Sequence, residues 1–332
     1  MDRIGKAHGA GGCASSNLID EVFKDRFSNK YLNELSDSAV VPGTGRLSLT
    51  TDSYVVRPIF FPGGDIGRLA VCGTVNDLLM SGARPLYLTA GFILEEGLAI
   101  DELCRVADSM AGTAKEAGVL IVTGDTKVIE PLDPGEPGLI INTAGIGFLN
   151  EDTYISPSRI CQGDAVILSG NLGDHHAAIL SSRISVKNHI LSDNAPLSEM
   201  MKGLAESGIE IHAMRDVTRG GLATILNEMA SGSGKHIIIE ETAVPVSAEV
   251  AEFSKLLGLD PLYMGNEGKC VIVLPQEAAD QAIDIMRSSR YGENACRIGM
   301  VGSGTGCVTV LTSIGGEKTV NPLYGEGLPR IC

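Results

Sequence analysis

The strongest constraint on the fold of this chain is a twofold alternation. Strand-patterned and helix-patterned segments follow one another in two successive series, and one stretch that suits neither pattern divides them. In the first series "RLSLTTDSYVVRPIFF" combines polar/apolar alternation with β-branched residues and reads as extended. "IGRLAVCGTVNDLLMSGA" then places Leu69, Cys72, Val75, Leu78 and Leu79 at helical spacing and stops at Gly82. "AIDELCRVADSMAGTAKEAG" is a second amphipathic helix, with Leu103, Val106, Met110 and Ala114 on one face and Gly118 placed to end it. "VLIVTGD" and "GLIINTAGIGFLN" read as buried strands. The stretch "NEDTYISPSRICQGD", starting at residue 150, breaks the pattern with proline and polar residues. Beyond it "AVILSG" opens a second series, with helices expected at 197–207, 220–231, 247–257 and 276–289 and strands at 236–240, 270–274, 297–301 and 307–312. The expected fold class is α+β: a domain over residues 1–152, a second over 153–315, and a flexible tail over 316–332, where "GGEKTVNPLYGEGLPRIC" is small, polar and rich in Gly and Pro.

Composition narrows the partners. At 332 residues each half is large enough to bury a core. Aromatic residues make up 4% and Trp is absent, so those cores rest on aliphatic side chains and Ala. The net charge of −15 argues against nucleic acid or an anionic membrane as the main partner. No apolar run approaches the ~20 residues that span a bilayer, and "MDRIGKAHGAGG" lacks an apolar signal core. Eight cysteines at 13, 72, 104, 161, 270, 296, 307 and 332 form no CxxC pair, which points to a reducing cytoplasm rather than a disulfide framework or zinc site.

Four aspartates are expected at turns and element ends: Asp52 in "LTTDSYV", Asp77 in "TVNDLLMSGA", Asp125 in "IVTGDTKV" and Asp216 in "AMRDVTRGG". Each alone reads as a cap or turn residue. Together with glycine loops they suit Mg²⁺ held against a polyphosphate, because Mg²⁺ prefers oxygen ligands and keeps waters. "TRGG" offers helix-start N–H groups and an Arg to an anion. "HGAGG", Gly9 to Gly12, either closes over phosphates or is a plain flexible leader. The usual phosphate loop is absent: "SGSGKH" lacks the required pattern and reads as a helix-ending loop, and "GSGTGC" at 302–307 reads as a hairpin turn. His175 and His176, adjacent rather than four apart, make a poor metal pair. Cys332, the final residue, reads alone as an inert terminus.

Taken together, "HGAGG", "TDSYVV", "PIFFPGGDIG", "LAVCGTVNDL", "MSGA", "GDTKV", "RDVTRGG", "GNEGK" and the terminal "PRIC" resemble the HypE family, the carbamoyl dehydratases of [NiFe]-hydrogenase maturation. That family lies in the ATP-binding superfamily of aminoimidazole ribonucleotide synthetase, selenophosphate synthetase and thiamin-phosphate kinase. The chain departs from the family pattern at Ala10, where Ser is expected, and at Val217, where Pro is expected. The resemblance implies two α/β domains of the aminoimidazole ribonucleotide synthetase-like type and a homodimer formed through β-strands of the N-terminal domain. It also implies ATP with Mg²⁺ at the domain junction. The implied nucleotide contacts are Gly9, Gly11, Gly12, Asp52, Asn76, Asp77, Asp125, Thr126, Asp216, Thr218, Arg219 and Gly220, with Asp52, Asp77, Asp125 and Asp216 as metal ligands. Catalysis falls to Cys332, Lys127 and Glu267.

In that family the terminal cysteine takes a carbamoyl group from a HypF-type carbamoyltransferase. ATP-dependent dehydration makes it a thiocyanate, and the cyano group passes to iron on a HypC–HypD complex. The residues suit the chemistry: Glu267 can accept an N–H proton, and Lys127 can neutralise charge on the transferred phosphoryl group. Two alternatives stay open from sequence. One is another synthetase or kinase of the superfamily acting on a small substrate, which leaves "PRIC" unexplained. The other is a non-catalytic maturation scaffold, which makes the four aspartates accidental.

Overall fold

The computed structural model describes residues 3–9, 12–34, 38–39, 41–43, 45–133, 135–304 and 306–323. Gly11 and the whole "PRIC" motif with Cys332 lie outside the described residues.

The N-terminal segment carries α1 (Gly12–Leu18), which continues through the wider turns of Ile19–Lys24. The first domain then comprises β1 (Leu47–Tyr54), the short pair β2 (Phe60–Phe61) and β3 (Gly64–Asp65), α2 (Ile66–Met80), β4 (Arg84–Glu95), α3 (Ile100–Ala117), β5 (Leu120–Ile129) and β6 (Leu139–Phe148). Its main sheet runs in the order β1-β6-β4-β5, antiparallel except for β4 and β5, which α3 joins by a crossover. Along β6, Leu139, Ile141, Thr143, Gly145 and Gly147 are buried while the residues between them are half-exposed, so one face carries the core.

Helix α2 is buried on nearly every side, as a helix must be when it lies between two layers. Asp65 starts it by accepting from the N–H groups of Gly67 and Arg68 at 2.7 and 3.1 Å. On one side α2 presses on β6 so closely that a Cβ at Gly145 would lie 2.8 Å from both Leu78 and Thr74. On the other it meets the second domain: the Asn76 amide donates to Ala195 O at 3.0 Å and accepts from Leu197 N–H at 2.9 Å. One hydrophobic cluster accordingly runs from Leu69 and Val75 to Met200, Met214 and Ile272.

The second domain holds β7 (Ala165–Leu168), α4 (Asp174–Arg183), α5 (Ser198–Ser207), β8 (Ala213–Asp216), α6 (Gly221–Ser233), β9 (His236–Glu240), α7 (Ala248–Leu257), β10 (Cys270–Leu274), α8 (Ala279–Ser288), β11 (Cys296–Gly302), β12 (Val308–Leu311) and β13 (Glu317–Thr319). Its seven-stranded sheet has the order β13-β12-β9-β11-β7-β10-β8. Two expectations are corrected here. "GSGTGC" is not a hairpin turn, because β11 and β12 do not pair; they flank β9, which β12 joins in parallel. The tail does not begin at residue 316, since β13 pairs with β12 and Val320 is buried with its N–H bonded to Val308 O.

Candidate functional site

Three elements bring carboxylates to the domain junction. Asp52 lies on the α2 side of β1, Asp77 in the interior of α2, and Asp216 at the end of β8. Neither Asp52 nor Asp77 ends an element as expected: β1 runs on to Tyr54, and α2 to Met80. Thr50 Oγ1 donates to Asp77 Oδ2 at 2.8 Å, and Arg219 Nη2 stands 3.7 Å from Asp52 Oδ1. Thr218, Arg219 and Gly220 form the turn into α6, whose first N–H groups have no helical partners. That turn needs glycine twice. Gly220 and Gly221 both have φ in the left-handed region, and a Cβ at Gly221 would lie 2.5 Å from Leu262 O.

Glu267 completes the group from the loop before β10. Asp193 Oδ1 accepts from its N–H at 3.0 Å, and Asp193 Oδ2 pairs with Lys269 Nζ at 3.5 Å. Between them Gly268 leaves no room for a side chain, since a Cβ there would lie 2.0 Å from Asp193 O. Asp193 and Lys269 were not singled out in the sequence, and "SDNAP" carries only an ordinary turn signal. The buried Asn76 amide bonds the 195–197 loop and Glu267 O.

Electrostatics give the group its character. Burial raises the Asp77 carboxyl above its ordinary value, and the Asp52 charge adds to this. Burial and then repulsion from Asp77 push Asp216 up to about 7. Burial raises Glu267 well above the carboxylate range, reinforced by Asp193, Asp216 and Asp52. Crowded buried carboxylates countered mainly by Arg215 and Arg219 are a donor set that fits a hard, oxygen-seeking cation. No three of their oxygens lie within 4.8 Å of one another, so a magnesium ion here would draw part of its shell from phosphate and water.

Asp125 and Lys127 stand apart from Asp52, Asp77 and Asp216 within the subunit. β5 does not end at Asp125 but runs on to Ile129. Across the sheet Asp52 aligns with Thr143, Ala90 and Gly124 in turn. Asp125 is therefore three strands away, ~14 Å, and its side chain falls on the opposite face. It pairs with Lys127 at 3.3 Å, and the two side chains are 68% and 66% exposed. Thr126, Asp125 and Lys127 border a cavity of about 540 Å³ beside the N-terminal segment, which brings His8, Ser15 and Ser16 to the same place. Gly9 ends a 3₁₀ turn and Gly12 opens α1 in that same segment.

Two other polar groups do not belong to the site. Cys161, Asp164 and His212 lie close enough to suggest a metal. However, Asp164 Oδ2 already accepts from Cys161 N–H and pairs with His212 Nδ1, both at 2.7 Å, and the Arg159 guanidinium pairs with neighbouring Glu210. This clamp fastens the interdomain segment to β8. His175 and His176 are buried in α4, and burial lowers both to about 4. An unfolded histidine takes its proton near pH 6.5, but these take theirs only near 4, so stability falls as pH drops through that window. His175→Gln should abolish up to ~3 kcal/mol of that loss in denaturant titrations between pH 7 and about 4. An unchanged pH slope would rule this origin out.

Comparison with known proteins places the chain. Profiles of the AIR synthase related protein N-terminal and C-terminal domains match residues 35–149 and 162–311. The carbamoyl dehydratase HypE of Cupriavidus necator is 46% identical over 335 residues, spanning 99% of this chain and 95% of its own. The chain belongs to the HypE family. A crystal structure of a HypE in complex with ATP superposes with a TM-score of 0.94 at 47% identity, covering 98% of this chain and 99% of that one. A HypE–HypF complex matches with a TM-score of 0.80 at 45% identity, over 92% of this chain and 99% of the other. The two AIR synthase related domains meet between residues 149 and 162, where the HypE-family chain leaves its first sheet for its second.

Proposed function

We propose that this protein is an ATP-dependent carbamoyl dehydratase that converts a carbamoyl group on Cys332 to a thiocyanate, supplying cyanide for the iron of a [NiFe]-hydrogenase. The observation that carries this reading is the buried carboxylate group at the domain junction, next to the α6 start, in a chain similar along nearly its whole length to carbamoyl dehydratases. A small-substrate kinase is less well supported, because relatives of that kind match at only 21% identity and share the fold alone.

The chemistry is balanced by this residue set. The γ-phosphoryl group of ATP goes to the carboxamide oxygen and makes it a leaving group. The C–O bond then breaks as the nitrile forms; of the two N–H protons, one ends on the departing phosphate and one on a base. Mg²⁺, held by Asp52, Asp77 and Asp216, would supply charge neutralisation for the phosphates. Arg219 and the first turn of α6 orient them. Glu267 is the proton acceptor; its burial makes it a stronger base than a surface carboxylate. Lys127, exposed on the sheet face turned away from α2, reaches the moving phosphoryl group from the second copy of the homodimer described next.

The working unit is a homodimer joined through the N-terminal sheets. The sheet face turned away from α2 carries exposed Leu47, Leu49 and Leu120 with half-exposed Ile93, Ile140 and Ile146, a surface suited to a second copy of itself. The carbamoyl donor is a HypF-type carbamoyltransferase, in keeping with the HypE–HypF complex, and the cyanide acceptor is a HypC–HypD complex. No helix among the described residues is long and apolar enough to cross a membrane. Six described cysteines carry free thiols, which suits the cytoplasm.

Nucleotide titration tests the site. Asp77→Asn and Asp216→Asn should each weaken Mg-ATP binding at least tenfold while ATP without Mg²⁺ is affected less. Unchanged affinity in both variants would remove the carboxylate group from the nucleotide site.

A further inference from the structure

We infer that Asn76 is a positioning residue: its side chain ties the main chain of Glu267 to the helix that carries Asp77. It thereby fixes the proton acceptor relative to Asp52, Asp77 and Asp216 across the domain boundary. This inference rests on the dehydratase reading above and adds to it how two domains hold one site in register.

Three observations carry it. First, Asn76 is 2% exposed, and both ends of its amide are engaged. Nδ2 donates to Ala195 O at 3.0 Å and to Glu267 O at 3.5 Å, while Oδ1 accepts from Leu197 N–H at 2.9 Å. A carboxylate here would set an oxygen against two carbonyl oxygens, and an alanine would offer neither donor nor acceptor. Second, Glu267 lies before β10 and outside the sheet ladder, so other groups must hold its peptide. Asp193 Oδ1 accepts from its N–H at 3.0 Å, and its carbonyl accepts from Ala195 N–H at 3.4 Å and from Asn76. The preceding Asn266, fully buried, accepts from Gly173 N–H at 2.7 Å and donates to Val217 O and Met264 O, both at 3.1 Å. These partners fix the loop within the second domain, and Asn76 fixes it to the first.

Third, the helix at the other end of this link is held firmly. A Cβ at Gly73 would lie 2.3 Å from Tyr54 OH, and α2 presses as closely on β6 at Gly145. Successive side chains leave a helix ~100° apart. Asp77 therefore turns to Thr50, whose Oγ1 donates to it at 2.8 Å, while Asn76 turns to the 195–197 loop. One turn of α2 thus carries both a proposed metal ligand and the anchor of the proposed proton acceptor. A shift of about 1 Å at such an acceptor can cost ~10²-fold in rate, which sets the size of the expected effect.

Asn76→Asp and Asn76→Ser test the link in the full-length protein, with Leu69→Ala, at a fully buried position on the same helix, as the control. Asn76→Ser, neutral and smaller, carries the test if Asn76→Asp does not fold. Each protein is incubated with a HypF-type enzyme, carbamoyl phosphate and saturating Mg-ATP, and intact mass follows the adduct and its loss of water. Both Asn76 variants should take the carbamoyl group as the parent does and bind Mg-ATP within about threefold of its affinity. They should lose water ~10²-fold more slowly. Leu69→Ala should lose stability to heat and keep its rate. In the nucleotide-free Asn76 variants, hydrogen exchange over residues 265–269 should quicken about tenfold, and in Leu69→Ala it should not. In a Glu267→Ala background, Asn76→Ser should slow the residual reaction by less than about twofold, because the residue acts only through Glu267. A parent that keeps its carbamoyl group intact would defeat the dehydratase reading and this inference with it. Parent-like dehydration or exchange in the Asn76 variants, a parallel loss of Mg-ATP affinity, or an undiminished effect in the Glu267→Ala background would overturn the positioning role alone.

Discussion

Glu267→Ala should accept a carbamoyl group on Cys332 at the wild-type rate and then stall, accumulating the adduct without loss of water. In the proposed reaction acyl transfer takes place at the partner enzyme, without Glu267, and proton removal takes place in this protein's cleft, with Glu267 as the proposed acceptor. A positioned base contributes ~10²–10⁴-fold, so the dehydration rate should fall by about that factor. Burial raises the Glu267 carboxyl well above its ordinary value, so replacing it takes a costly ionisable group out of the interior. The variant should therefore be no less stable than the parent to heat, which separates lost chemistry from lost fold. Thiocyanate formation at the wild-type rate would return Glu267 to a structural role.

Gly268→Ala should be nearly as damaging, although alanine adds one methyl group and no charge. Its Cβ would sit 2.0 Å from the backbone oxygen of Asp193 and 2.9 Å from Ala195 N, and neither backbone can yield as a flexible side chain would. The loop must lift, breaking the hydrogen bond from Glu267 N–H to Asp193 and pulling Lys269 from its partner. Overpacking of this kind costs ~1–3 kcal/mol of stability. A displacement of about 1 Å at a proton acceptor can cost ~10²-fold in rate. Carbamoylation should persist, since the proposed acyl transfer takes place at the partner enzyme. A Gly268→Ala protein with both normal stability and normal dehydration would show that the loop tolerates more movement than this packing allows.

The sequence revealed the parts of this site better than their arrangement. Helices α2, α3, α6 and α7 were readable because their apolar spacing and glycine stops are local signals, as at Gly118 with φ +75°. β4 and α4 went unread: "RPLYLTAGFILE" is apolar with no clear alternation, and α4 opens with two histidines. "GSGTGC" looked like a hairpin because turn chemistry is local, whereas pairing β12 with β9 depends on the rest of the sheet. The same limit explains Asp125. Its motif reads as a candidate ligand, but the face of the sheet it projects from follows from the register of four strands. Asp193 escaped notice because its role lies in reaching a loop more than seventy residues away. Cys332, the carrier in the proposed reaction, falls beyond Leu323 and is legible only in the sequence.

The most direct measurement of the central claim is intact mass spectrometry of the C-terminal peptide. The full-length protein is incubated with a HypF-type carbamoyltransferase, carbamoyl phosphate and ATP. The peptide should first gain one carbamoyl group on Cys332 and then lose one water, the second step requiring ATP hydrolysed by this protein, and Cys332→Ala should gain nothing. A carbamoyl adduct that persists unchanged while ATP is consumed, or water loss that proceeds without ATP, would contradict the account.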